Sequence, residues 1–371
     1  MPPWLTALLG RIYTHVPDSA RPLAKKTFLW GFLRTQAAAG RRSVEHGRRI
    51  QFLDFEIAHL EPYEFLGPAP SDVLVEAHYS TVSPGTERAV LCGLPGARRP
   101  FPYTPGYSTA GVVRKAGGQS GVAAGDRVAG RMSHASHGLM TRTSLFKVPD
   151  GVHLRDASFM ELGIICLQGI RKARLLPGQR VAVIGMGLIG QLAARLARIA
   201  GAGPIVAVAA SRRRAAASAG YVDEFIALNE TPDALATLGA DVVIEAVGSA
   251  KGIVQAMGAV RPGGTVVLLG SSRDLGRGLD WWTLAQARGI TLVGAHISNM
   301  PGRDASATLW TYEQEGRLFL DLLASGQLTV SDLITWTAPP EDCNKVYEVI
   351  GEGGREHVGI VFSWAEGPAA S

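Results

Sequence analysis

Apolar residues follow three rhythms along the chain, and each predicts a different architecture. From Glu161 onward, short apolar runs alternate with stretches of helical spacing. Val181 to Ile184 is one such run. It breaks into Gly185-Met186-Gly187-Leu188-Ile189-Gly190, after which Leu192, Ala193, Leu196, Ala197 and Ile199-Ala200 repeat on one helical face. Further runs at Ile205–Val208, Asp241–Ile244, Thr265–Leu269 and Thr291–Val293 predict strands with helices between them. That alternation predicts an α/β fold built on a doubly wound parallel sheet. Between Arg49 and Lys147 the rhythm is strand-like. Ile50–Ala58 and Asp72–Tyr79 alternate apolar and polar residues, Val112-Val113 and Arg127-Val128-Ala129 are further strand candidates, and Gly67-Pro68, Gly117-Gly118 and Gly125-Asp126 mark turns. This stretch predicts a small β-barrel-like unit. After Pro301 the pattern changes again, to a helix over Trp310–Ser325 and a final strand at Val358–Phe362.

Residues 1–47 fit neither unit and read as an extension. Trp4, Leu8, Ile12 and Val16 recur at helical spacing after Pro2-Pro3, and Phe28, Leu29, Phe32 and Leu33 begin a second amphipathic patch. Charge sharpens this reading. The first 50 residues hold nine Lys/Arg and two acids, +7, while the whole chain carries only +5. The body therefore has no basic excess to suggest nucleic-acid binding. Three roles stand open for the extension: docking on the body or on a second subunit, contact with an anionic membrane surface, or disorder. It does not read as a secretory signal, because its apolar residues are periodic and not clustered. No run of 18 apolar residues occurs, so no spanning helix is expected. Three scattered cysteines, Cys92, Cys166 and Cys343, argue against a disulfide framework and fit a reducing cytoplasm.

The glycine turn is where chemistry enters. Strand, G-x-G-x-x-G and helix in direct succession form a dinucleotide-binding pattern. Gly185 allows the tight turn, Gly187 leaves room for a pyrophosphate, and Gly190 lets the helix pack on the strand. Leu188 and Ile189 open the helix whose free N–H groups face the phosphates. After the second strand an acid normally receives the adenosine ribose. Here Ala209-Ala210 lead into Ser211, Arg212, Arg213 and Arg214. A hydroxyl and guanidinium groups suit a 2′-phosphate, so NADP(H) is the expected cofactor, without NAD(H) being excluded.

The chain resembles the medium-chain dehydrogenase/reductase superfamily over roughly residues 49–365. The resemblance is carried by Ser83-Pro84-Gly85-Thr86-Glu87, Pro105-Gly106-Tyr107-Ser108-Thr109-Ala110-Gly111, Gly125-Asp126-Arg127-Val128, Val148-Pro149-Asp150-Gly151, the glycine turn, Glu245-Ala246-Val247-Gly248 and Arg261-Pro262-Gly263-Gly264. It implies a GroES-like β-rich catalytic domain, residues 48–160 and 302–371, split around a Rossmann domain at 161–301, with a small-molecule substrate between them. It also implies a homodimer. Val247, Gly248, Gly270 and Ser271 join the expected cofactor site. The Ser-x-Gly-Thr-Glu form is closer to the polyol dehydrogenases than to the quinone or enoyl reductases, and it and the Pro-Gly-Tyr segment are similar to those of the hydroxyethyl-bacteriochlorophyllide dehydrogenases.

The departures matter as much as the matches. Zinc members carry Cys-Gly-Thr-Asp where this chain has Pro84-Gly85-Thr86-Glu87, and Gly-His-Glu where it has Gly106-Tyr107-Ser108. Only the third ligand position, Glu161, is kept. A catalytic zinc needs three such ligands, so no zinc is expected. Hydrogen-bond donors must then stabilise the alkoxide that a zinc ion normally stabilises. Through the resemblance, Tyr107 is the first candidate for proton donor. Glu161 could orient it or act as the acid if burial raises its pKa. Ser83 and Thr86 could bind the substrate oxygen, and His137, paired with His134 in an H-A-S-H, is a candidate relay. Gln168 falls where related chains often carry His. Trp281-Trp282 reads as packing or a subunit contact. The expected activity is interconversion of a secondary alcohol and a ketone. Enoyl or quinone reduction, and a non-catalytic cofactor-binding scaffold, are the alternatives.

Overall fold

The computed structural model describes residues 42–271, 279–306, 309–354 and 356–365, together with Gly31 and Thr35. The apolar positions read as an amphipathic extension, Trp4 through Leu33, lie outside the described residues. The first strand begins at Val44, inside the stretch read as extension.

The β-rich part opens with a hairpin of β1 (Val44–Asp54) and β2 (Ile57–Leu66). The alternation over Ile50–Ala58 is therefore two strands and a turn, not one strand. Asp54 Oδ1 accepts from the Phe55 N–H at 2.8 Å, and Glu56 adopts a left-handed φ of 59°. No Gly, Asn or Pro at 55 or 56 announces the reversal. There follow β3 (Asp72–Thr81), α1 (Pro84–Leu91), β4 (Thr109–Ala116), β5 (Arg127–Gly130), β6 (His137–Thr141), β7 (Leu145–Lys147), and the helices α2 (Leu154–Ala157) and α3 (Met160–Ala173).

The alternating part contains β8 (Val181–Ile184), α4 (Leu188–Ile199), β9 (Ile205–Ala209), β10 (Glu224–Ala227), β11 (Ala240–Glu245), α5 (Ala250–Ala259), β12 (Val260–Leu268) and β13 (Thr291–Gly294). The chain ends with α6 (Tyr312–Ala324), β14 (Ile334–Ala338), α7 (Cys343–Gly351) and β15 (Gly359–Ser363).

Six strands form one parallel sheet in the order β10-β9-β8-β11-β12-β13. In chain order this is 3-2-1-4-5-6, the Rossmann arrangement, with its reversal between β8 and β11. The other large sheet runs β14-β15-β3-β4-β5-β7, with β6 also on β3. The chain's last strands thus return to the sheet its first half began, with Val361 opposite Thr81. The fold is the expected α/β combination of a GroES-like part and a Rossmann-like part.

Two expectations fail in the alternating part. β10 was not predicted: four residues, of which only Ile226 and Ala227 are buried, give too short an apolar run. Nor does an α-helix lie between every pair of strands. Between β9 and β10 there are only 3-10 turns at Arg212–Arg214 and Ala216–Ser218. Arginines and alanines supply no apolar stripe for a helix to bury there.

α3 is the spine of the main core. Leu162, Ile164 and Cys166 are fully enclosed, and the helix packs against α4 and α6. One buried ion pair locks α4 to the C-terminal segment. Arg195, fully enclosed, makes two bonds of 2.7 Å to Asp332 and further bonds to the carbonyls of Thr329 and Ala217. Asp332→Ala leaves that guanidinium without its counter-charge. It is expected to lower unfolding stability by about 2 kcal/mol, the half-exposed carboxylate placing the cost below that of a fully buried pair. A shift of the urea midpoint at unchanged slope checks this.

Candidate active site

The segment Ser83–Glu87 forms the start of α1, with Ser83 as its N-cap and Pro84 in the first turn. The Ser83 N–H donates to Glu87 Oε1 at 2.7 Å, which fixes the cap. Tyr107 donates its hydroxyl proton to Ser83 Oγ at 2.7 Å, and Thr86 also bonds that hydroxyl. The next residue, Ser108, donates to the Ser158 carbonyl at 2.6 Å and accepts the Glu161 N–H at 3.2 Å. One loop therefore delivers Tyr107 to Ser83 and ties itself to the first turn of α3, where Glu161 sits.

Glu161 is almost wholly buried, and both its carboxylate oxygens are engaged. Oε1 accepts from the Tyr312 hydroxyl. Oε2 accepts from Arg131 Nη2 at 3.0 Å. The Arg131 guanidinium lies 5.2 Å from the centre of the Tyr312 ring. Neither Arg131 nor Tyr312 was singled out in the sequence. Tyr312 reaches Glu161 because α6 approaches α3 closely. A Cβ at Gly163 would stand 2.1 Å from the Phe319 ring, so only glycine admits that approach.

Burial sets the proton chemistry of the pair. It pushes the Glu161 carboxyl up to about 7, against the opposing charge and hydrogen bond of Arg131. Burial also pushes the Tyr107 hydroxyl above its ordinary value; the Ser83 and Thr86 bonds pull it down, and the Glu87 and Glu161 carboxylates push it further up. Tyr107 is thus a neutral hydrogen-bond donor, and Glu161 can gain or lose a proton near neutrality.

His137 does not join this cluster. It lies on β6 opposite Glu76, and its Nδ1 sits 3.2 Å from Ser136 Oγ. His134 is the partner that turns inward. It is fully buried, with Nδ1 2.7 Å from Ser80 Oγ and Nε2 3.2 Å from Glu87 Oε2. Tyr347 donates to the same carboxylate at 2.6 Å. His137 thus stands apart from the cluster, and it is His134 that pairs with Glu87 in the interior behind Ser83. Gln168 donates to the Ala295 carbonyl at 2.8 Å and ties α3 to the end of β13.

On the cofactor side, the carboxyl ends of β8, β11 and β12 converge. A Cβ at Gly185 would meet Val247, one at Gly248 would meet the Ser271 backbone, and one at Gly270 would meet the Gly248 amide. Leu188 and Ile189 begin α4 behind its N-cap, Gly187. The Val247 and Gly248 amides both donate to Glu245 Oε1 at 2.8 Å. These residues frame the crevice at the sheet's reversal, where α/β proteins bind nucleotides. Ser211 stands at the N-cap position of the turn that follows β9, with its hydroxyl not used in a capping bond. Arg212 and Arg213 are both exposed, and Arg212 is held by Glu230 at 2.8 Å. Of the three arginines in this turn, Arg214 is the one that reaches the glycine turn. Its Nη1 lies 3.4 Å from the place of a Gly187 Cβ, and its Nη2 donates to the Gly354 carbonyl at 2.7 Å.

The donor set does not fit a catalytic zinc. Among the described residues no three His, Cys, Asp or Glu side chains are grouped to hold a metal ion. The one matching position, Glu161, already faces a guanidinium that would repel a dication.

Two family descriptions match the chain: the alcohol dehydrogenase GroES-like domain over residues 69–155 and the zinc-binding dehydrogenase over residues 189–311. Among curated relatives, D-xylulose reductase A of Aspergillus oryzae is 26% identical over 219 residues, 56% of this chain and 57% of the relative. D-guloside 3-dehydrogenase of Escherichia coli is 27% identical over 198 residues, 51% of this chain and 56% of the relative. The chain thus spans a little over half the length of the curated relatives it matches. A Sinorhizobium meliloti protein of the zinc-binding dehydrogenase type, solved bound to NADP, superposes with a TM-score of 0.73 at 21% identity, covering 86% of this chain and 99% of that one. The 2R,3R-butanediol dehydrogenase of Bacillus subtilis superposes with a TM-score of 0.71 at 18% identity, with the same coverage.

Proposed function

Because the chain belongs to the medium-chain dehydrogenase/reductase superfamily, we propose that it is a zinc-independent NADP(H) oxidoreductase that interconverts a secondary alcohol and a ketone. The observation that carries this reading is the Glu161 carboxyl, poised near neutrality between Arg131 and Tyr312 and beside the Tyr107–Ser83 pair. When bound, the nicotinamide supplies or accepts the hydride. With substrate bound, Tyr107 turns its one hydroxyl proton from Ser83 Oγ to the substrate oxygen, and its own oxygen then accepts from the Ser83 and Thr86 hydroxyls, which fix it. Glu161 supplies the proton in reduction and takes it back in oxidation. Gly185 to Gly190 seat the diphosphate, and Ser211 with the arginine turn receives the 2′-phosphate.

The test is a panel of ketones and enones with NADPH, followed at 340 nm, with product identification. Reduction of C=O is expected. Saturation of C=C with the carbonyl intact would favour the enoyl or quinone reductase alternative, and tight NADPH binding without turnover the scaffold. Metal analysis of active protein should find far less than one zinc per chain.

Cofactor choice gives a second expectation. kcat/KM for NADPH should exceed that for NADH. Arg213→Ala should lower the NADPH value about tenfold and spare NADH, an exposed charge–phosphate contact being worth roughly that much. Arg212→Ala should cost less, since Glu230 already holds it.

The remaining organisation follows the same reading. Residues 48–160 and 302–371 form the catalytic domain and 161–301 the cofactor domain. β13, the edge of the parallel sheet, with exposed Leu292, Trp281 and Trp282, supports a homodimer. Free cysteines support a cytoplasmic setting. Among the described residues no helix is long and apolar enough to cross a membrane. The basic segment ahead of β1 would dock on the body or a second subunit, or touch an anionic membrane surface.

A further inference from the structure

Reducing a ketone builds negative charge on an oxygen, and a site must meet that charge. The charges around Tyr107 have the wrong sign for this. Glu87 and Glu161 both act on its hydroxyl, and both are carboxylates. The cation acting on Glu161 is Arg131. It follows β5 directly and places Nη2 3.0 Å from Glu161 Oε2, with its guanidinium over Tyr312. Glu161 is 1% exposed, but the Arg131 side chain is 51% exposed. Among the described residues the bond to Glu161 is the one hydrogen bond its side chain makes. A guanidinium carries five N–H donors in a planar fork. Arg131 therefore holds Glu161 with one edge and keeps donors for a second oxygen.

We infer that Arg131 binds the substrate oxygen and supplies there the positive charge for which the described residues hold no metal donor set. The inference rests on the alcohol–ketone reading above. In reduction, hydride adds to the carbonyl carbon and the π pair moves to oxygen. That oxygen takes the Glu161 proton, which solvent replaces. Arg131 stays protonated throughout and gains strength as the oxygen becomes negative. Arg131 is then a catalytic residue, not only a support for Glu161.

The experiment uses full-length protein, NADPH and the best ketone of the panel. Arg131→Met is expected to lower kcat about 100-fold, while NADPH affinity stays within about twofold. Guanidinium chloride at about 30 mM should restore about tenfold of the loss, because the missing group is a planar fork. Arg131→Lys should fall between the two, and it serves as the test if the Met variant does not fold. Arg131→Met made in a Glu161→Gln background separates contact from support. A further loss of about tenfold there is expected from direct contact with substrate. No further loss there, no recovery with guanidinium, or an Arg131→Met kcat within threefold of the parent would each overturn the assignment. If the unaltered protein reduces no ketone, the functional reading itself falls. If it reduces ketones and Arg131→Met does so equally well, only Arg131 falls.

Discussion

Glu161→Gln is expected to lower kcat for ketone reduction by about 10²–10³-fold and to remove a titration near pH 7 from the rate profile. The carboxyl is pushed up to about 7 by burial, and Arg131 only partly offsets this. Below pH 7 it holds its proton and can deliver it to the forming alkoxide. Reduction should therefore slow as pH rises through 7. Alcohol oxidation needs the ionised form and should quicken over the same range. Glutamine keeps the shape, since its Oε1 can accept from Arg131 while its Nε2 donates to the Tyr312 oxygen, but it has no proton to exchange. Both limbs should flatten in the variant, and kcat/KM from pH 5.5 to 8.5 in the two directions shows whether they do. Stability must move with the opposite sense to that of an ordinary salt-bridged acid. Folding raises this pKa above the ordinary carboxyl value of 4.5, so the protonated group is the one the fold favours. That contribution is complete below pH 4.5 and is lost as pH rises through 7. The stability of the parent relative to Glu161→Gln should accordingly fall between pH 5 and pH 8, as urea unfolding at the two values would record. A profile that keeps its neutral limb in the variant would move the proton to another group, Tyr107 first.

The contrast between the two halves of the site shows which physics a sequence exposes. The cofactor half is local. Strand, turn and helix lie within twenty residues, Gly185 and Gly190 each have a steric reason, and the strand that feeds them, β8, is apolar throughout. The catalytic half is assembled across the fold. Glu161 lies 30 residues from Arg131 and 151 from Tyr312. Their meeting depends on the close packing of α3 on α6, which no periodicity announces. His137 shows the reverse error. The H-A-S-H spacing looked like a pair, but the backbone enters β6 at His137 and leaves His134 in the interior, so the two rings serve different surroundings. Arg214 was hidden in the same way, as one arginine among three whose turn geometry alone selects it.

Gly190→Ala is expected to weaken NADPH binding by at least about 100-fold, because the added methyl has nowhere to go. Its Cβ would stand 1.8 Å from the Gly185 carbonyl oxygen, a backbone atom. That atom cannot yield cheaply. The Gly185 N–H is bonded to the Val208 carbonyl at 2.8 Å, and its φ of 95° is already one that only glycine takes easily. The strain must go into α4, whose inner face, Leu192, Ala193, Leu196 and Ala197, is fully packed. Moving that helix off β8 takes its first-turn N–H groups away from the diphosphate. Gly187→Ala separates this from a simple loss of space for the ligand. A Cβ there meets only Arg214 Nη1, the far end of a long side chain, at 3.4 Å. The Gly187 variant should keep a melting temperature within a few degrees of the parent, yet lose about tenfold in NADPH affinity, since a methyl intrudes where the pyrophosphate must approach. The Gly190 variant should lose both affinity and melting temperature. Titration of nucleotide binding by fluorescence, alongside thermal unfolding, measures the two effects on the same samples. Equal affinities for parent, Gly187→Ala and Gly190→Ala would place the dinucleotide outside the crevice between β8 and β11.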